Sequence, residues 1–88
     1  MTYRVIYKNS VIKYLGKIDP QISLRIMRWI EENLAGCKDP RSMGKALHGN
    51  RAGTWRYRVG EYRVLAEIKD KELIITVIEV GSRKNIYN

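Results

Sequence analysis

Thr54-Trp55-Arg56-Tyr57-Arg58-Val59-Gly60-Glu61-Tyr62-Arg63-Val64-Leu65-Ala66-Glu67-Ile68-Lys69 is the stretch that decides the fold, because it reads as a β-hairpin. Side chains alternate across a strand, so Thr54–Val59 sends Trp55, Tyr57 and Val59 to one face and Arg56 and Arg58 to the other. Gly60-Glu61 is a two-residue turn. Tyr62–Lys69 then returns, which lets Arg63 lie across the hairpin from the arginine pair. Asp70-Lys71 turns the chain again, and Glu72–Val80 is its most apolar strand. Three sequential strands joined by short turns predict an antiparallel sheet.

Working outward, Thr2 to Tyr7 is rich in β-formers and reads as a first strand. Asn9-Ser10 can cap a helix whose stripe is Val11, Ile12, Tyr14 and Leu15, ending around Gly16-Lys17. Asp19-Pro20 is a clearer start: the carboxylate accepts first-turn N–H bonds, and proline loses nothing at the first helical position. Ile22, Ile26, Trp29, Ile30 and Leu34 recur at helical spacing to about Ala35, with Gly36 as a left-handed terminator. Cys37 to Gly53 reads as irregular, and Gly81-Ser82 releases a basic tail, Arg83 to Asn88. The order is β-α-α-β-β-β. It predicts an α+β fold, a helical pair on one face of a mainly antiparallel sheet.

The 88 residues make a single domain, 1–88. A large enzyme with its own cofactor fold is excluded, and no cofactor is expected. Cys37 is the only cysteine and His48 the only histidine, too few soft ligands for a zinc site and none for an internal disulfide. No apolar run reaches transmembrane length and the start carries no apolar stretch resembling a secretion signal, so a cytoplasmic protein with no membrane partner is expected.

Seventeen Lys+Arg against nine Asp+Glu leave a net charge of +8, which suggests a polyanionic partner. Lys38, Arg41, Lys45, Arg51, Arg56, Arg58 and Arg63 face only Asp39 and Glu61 within one 26-residue stretch. Glu67, four residues from Arg63, shares its face and can neutralise one arginine. Arginines on a sheet face are also commonly just solvated. Trp29 reads as core; Trp55 reads as core with base stacking as the alternative. His48 is a loop residue able to act as acid or base, and Tyr87 has little core to join. The residues describe a basic domain suited to phosphates, and leave open whether it binds RNA or cuts it.

The hairpin Gly53–Leu65 resembles the signature of the RelE/ParE toxin superfamily. The close Val80-Gly81-Ser82-Arg83-Lys84-Asn85-Ile86-Tyr87 resembles the family's "VG-x-R…Y" ending, and Lys45-Ala46-Leu47-His48-Gly49 its "K-x-L-x-G" segment. The resemblance spans essentially the whole chain, and the Arg83 and Tyr87 ending points to the RelE branch. It implies a toxin of a type II toxin–antitoxin pair: an endoribonuclease cleaving messenger RNA in the ribosomal A site of the 70S ribosome, with 16S rRNA contacts. A RelB-like antitoxin would neutralise it, and operator DNA would be met only through their complex. The ParE branch, which poisons DNA gyrase, shares the fold and parts of the hairpin. A noncatalytic RNA- or ribosome-binding module is a further alternative.

Carried over by position, the family's basic strand pair falls on Arg56 and Arg58, its transition-state arginine on Arg63, its post-strand arginine on Arg83 and its C-terminal tyrosine on Tyr87. Lys45, Arg51, Trp55 and His48 are the expected RNA contacts. In-line attack of a 2′-OH on phosphorus needs no metal; it needs a placed ribose, a stabilised phosphorane and a protonated 5′-oxygen. Some family members carry lysines where this chain has Arg56 and Arg58. Arginine is a poor general base, so Glu61, Lys45, His48 and a ribosomal group all stand as candidates.

Overall fold

The Asp19 carboxylate accepts from the Gln21 amide at 2.9 Å and Pro20 opens the longer helix, so the strongest start signal in the sequence is used as such. A computed structural model describes residues 1–82. In chain order these form β1 (Arg4–Tyr7), α1 (Asn9–Lys17), α2 (Pro20–Asn33), β2 (Lys45–Ala46), one 3-10 turn (Gly49–Arg51), β3 (Trp55–Val59), β4 (Tyr62–Lys69) and β5 (Ile74–Ser82). The five strands lie in the order β1-β5-β4-β3-β2. Every pairing is antiparallel except β1 with β5, which run parallel.

Both helices cover one face. Val11 and Leu15 from α1 and Ile26 and Ile30 from α2, with Leu34 beyond it, are buried with Tyr57, Val59, Val64, Ala66, Ile75, Val77 and Val80. Trp29 joins this core, its ring 5.7 Å from that of Tyr57. The Tyr57 hydroxyl donates to the Pro40 carbonyl at 2.6 Å, so the following loop is pinned to the core. Burial pushes the Tyr57 phenol well above its ordinary range. Among the described residues, no helix is long and apolar enough to cross a membrane.

Several boundaries differ from the sequence reading. Lys8, not Asn9 or Ser10, is the N-cap of α1, and it gives no side-chain cap bond. The helix is held instead by packing of Val11 and Leu15. α2 stops at Asn33, whose side-chain amide bonds back to the Trp29 carbonyl. β1 begins at Arg4 because Tyr3 leaves the sheet: its amide and carbonyl bond Cys37 and Gly36. β5 begins at Ile74, after a turn through Leu73, and continues to Ser82. The stretch expected to be irregular contains β2 and the 3-10 turn. Two residues are too short a strand for periodicity to reveal.

Candidate nucleic-acid interface

Arg58 and Arg63 are direct cross-strand partners, and Lys45 is the direct partner of Arg56. Alternation puts Arg56 with Arg58 on one face and Arg63 with Leu65 on the same one, opposite the helices. Four cations therefore occupy neighbouring rungs of the outer face. Arg58 and Lys45 are exposed, Arg56 is half-buried, and Arg63 is only 6% exposed. Gly81 lies opposite Arg63 on β5 and adds no side chain there. The expected grouping of Arg56, Arg58 and Arg63 thus holds in the register, with Lys45 added.

The hairpin geometry follows from Gly60. Its φ of 60° is left-handed, and Glu61 has no such φ, a pattern that fits a type II′ turn. That turn sets the register that makes Arg58 and Arg63 face each other. It also leaves Glu61 exposed at the hairpin tip.

Trp55, one of the expected RNA contacts, stands apart from the cations of the outer face. It belongs to the helix-facing side, packed against the core, and its indole N–H donates to the Met43 carbonyl at 2.7 Å. Arg41 lies 6.0 Å over its ring. The arginines and Trp55 are on opposite faces because the period of two separates adjacent residues. His48 is exposed at the entrance to the 3-10 turn. Arg51, within that turn, donates to Glu79 at 2.8 Å. Glu67 is exposed opposite Thr76, and the carboxylate paired with Arg51 is Glu79. Arg83 and Tyr87 lie outside the described residues.

Glu79 was not legible from periodicity. Strict alternation from Ile75 and Val77 sends residue 79 into the core. Leu65 instead pairs with Glu79 and Ala66 with Val77, so Ile78 is an extra residue and β5 carries a bulge. The bulge keeps Val77 and Val80 buried in the core while turning Glu79 outward. Two further arginines were also missed. Arg25 and Arg28, one turn apart on α2, border a groove of ≈ 540 Å³ with Arg58 and Gly60, which extends the basic surface around the β3 edge. The signal for them was their three-residue spacing on the solvent side of the helix.

A second polar cluster lies at the other end of the sheet. Arg41 grips both Asp70 oxygens, at 2.9 and 3.1 Å, and the Tyr3 hydroxyl donates to the same carboxylate at 2.7 Å. The Arg41 guanidinium, then the Tyr3 hydroxyl, hold the Asp70 carboxyl below its usual range. The same bond to Asp70 raises the Tyr3 phenol. This cluster ties the loop after α2 to the β4–β5 turn, and so fixes the approach to β2 and Lys45.

The chain is similar to known proteins in sequence and in fold. The family model described as ParE toxin of type II toxin-antitoxin system, parDE, matches residues 5–87. Toxin RelG of Mycobacterium tuberculosis is 30% identical over 87 residues, covering 99% of this chain and 98% of that protein. A chain in the crystal structure of the RelBE2 toxin-antitoxin complex from M. tuberculosis superposes with a TM-score of 0.84 at 28% identity, over 94% of this chain and 93% of that one. The isolated RelE toxin of E. coli gives a TM-score of 0.72 at 19% identity, over 92% and 84% of the two chains, a likeness of fold.

Proposed function

This chain belongs to the RelE/ParE superfamily of toxins of type II toxin–antitoxin systems, and on that premise we propose that it is a ribosome-dependent endoribonuclease. Its substrate is messenger RNA in the ribosomal A site, cut by metal-independent attack of a 2′-hydroxyl, so that translation stops. The observation carrying this reading is the rung Arg58↔Arg63 beside Lys45↔Arg56. Four cations on neighbouring rungs complement a polyanion laid across them, and messenger RNA supplies one phosphate per nucleotide.

Arg63 is the residue for the nonbridging oxygens, since a guanidinium can hold two of them at once. Its burial against the sheet fixes the fork, so little motion is needed as charge develops on the phosphorane. Arg56, Arg58, Lys45 and Arg51 grip flanking phosphates. By the family resemblance, Arg83 holds phosphate or helps the leaving group, and Tyr87 stacks on a base or orients the attacking hydroxyl. The partner is a small acidic, RelB-like antitoxin that covers the basic face. M. tuberculosis RelBE2, one chain of which this fold resembles, is a toxin–antitoxin complex. Operator DNA is met only by that complex.

Induction of the chain in cells, with 5′-end mapping of transcripts and an Arg63→Ala control, tests the reading. Cuts confined to translated regions, in step with the reading frame and absent from the variant, are expected. The match to the ParE family model favours one other target, DNA gyrase. Growth arrest with intact messenger RNA and broken DNA would decide for it.

A further inference from the structure

The proposed nuclease reading has yet to assign an acceptor for the proton of the attacking hydroxyl: a guanidinium, protonated at any ordinary pH, does not take one, and Lys45 is given to a flanking phosphate. Glu79 stands beside the arginines on their own face. It is the direct partner of Leu65, which is itself the partner of Arg56; the next rung is Arg63↔Gly81. Arg63 is therefore Glu79's diagonal neighbour, a relation that brings Cβ atoms to about 7–8 Å and long side chains within reach. The β5 bulge is what turns Glu79 to this face. Arg51 then pins the carboxylate through a 2.8 Å bond to one oxygen, while 42% of the side chain stays open to solvent. Glu61, by contrast, is at the hairpin tip, two residues beyond the Arg58↔Arg63 rung, and His48 is on the loop before the 3-10 turn.

Resting on the nuclease reading, we infer that Glu79 is its general base, positioned by Arg51. The carboxylate takes the 2′-hydroxyl proton as that oxygen forms its bond to the adjoining phosphorus. The P–O5′ bond breaks, the 5′-oxygen takes a proton from water, and the products are a 2′,3′-cyclic phosphate and a 5′-hydroxyl. The ionised carboxylate carries acceptors and no donor, so it takes the proton and makes no hydrogen bond to the phosphate that Arg63 holds.

Single-turnover cleavage on messenger-programmed ribosomes tests this with wild type, Glu79→Gln and Glu79→Ala, ribosome binding being measured in parallel. A base of this kind contributes about 10²–10⁴-fold. Both variants are expected to lose that much rate while binding at least as tightly as wild type. Added formate is expected to restore part of the Glu79→Ala rate and none of the Glu79→Gln rate, because only the smaller side chain leaves room for a carboxylate. A purely structural role gives no such rescue. Wild type that cuts while Glu79→Gln cuts equally fast overturns the assignment alone, as does a rate loss matched by lost binding or untouched by formate. Wild type that leaves programmed messages intact overturns the nuclease reading, and this assignment with it.

Discussion

Arg63 differs from the other arginines of the outer face in being almost enclosed, and that difference separates its expected phenotype from theirs. Arg63→Ala removes the fixed fork, and the expected loss of cleavage is about 10²–10³-fold, roughly 3–4 kcal/mol of transition-state stabilisation. A thermal melt of the variant separates this from misfolding. Arg58 is exposed, so Arg58→Ala is expected to weaken RNA binding and to lower the slope of log affinity against log salt by about one, while the fold stays intact. Asp70 gives a prediction in pH. Its carboxyl is held below the ordinary value by Arg41 and Tyr3, so the cluster supports the fold fully above the usual carboxylate range, near 3.9. That support is lost as pH falls through the depressed value. Asp70→Asn is expected to flatten the acid limb of a stability-against-pH curve measured by denaturant unfolding.

Between residues and fold stand the short elements, and these mark what the sequence revealed and what it concealed. β3 and β4 were legible because Trp55, Tyr57 and Val59 alternate with arginines around a glycine turn. α2 was legible from Asp19-Pro20 and its apolar stripe. β2 was not, since its two residues have no period, and its placement depends on contacts made elsewhere in the chain. Gly44 is one of these. It has a φ of 79°, and a Cβ there would meet the Arg56 carbonyl oxygen, with the Trp55 indole nitrogen at 2.8 Å. Gly44→Ala is expected to cost more than about 2 kcal/mol in unfolding free energy, from the left-handed backbone and the clash together. The same change is expected to loosen Lys45 from Arg56, detectable as faster amide exchange at β2. Trp55 was read correctly as core-facing from its alternation. The same alternation sets it on the far side of the sheet from Arg56. The candidate base was hidden by the bulge, a departure from period two that leaves no mark in composition.

At the scale of the whole molecule, the sheet joins the two ends of the chain. β1, at residues 4–7, lies against β5, at residues 74–77, so its pairing spans some seventy residues of sequence. Contacts of such range close late, because the loop between them must be ordered first. The N-terminal strand has no partner until β5 has been made, and α1 packs on β5 as well. A chain emerging from a ribosome therefore cannot complete its own sheet before its last strand is free. Nascent chains halted before Ile74 are expected to be cut readily by protease, and released full-length chains to resist it. Synthesis thus carries its own delay: the strand made early waits for the late one on which its place in the sheet depends.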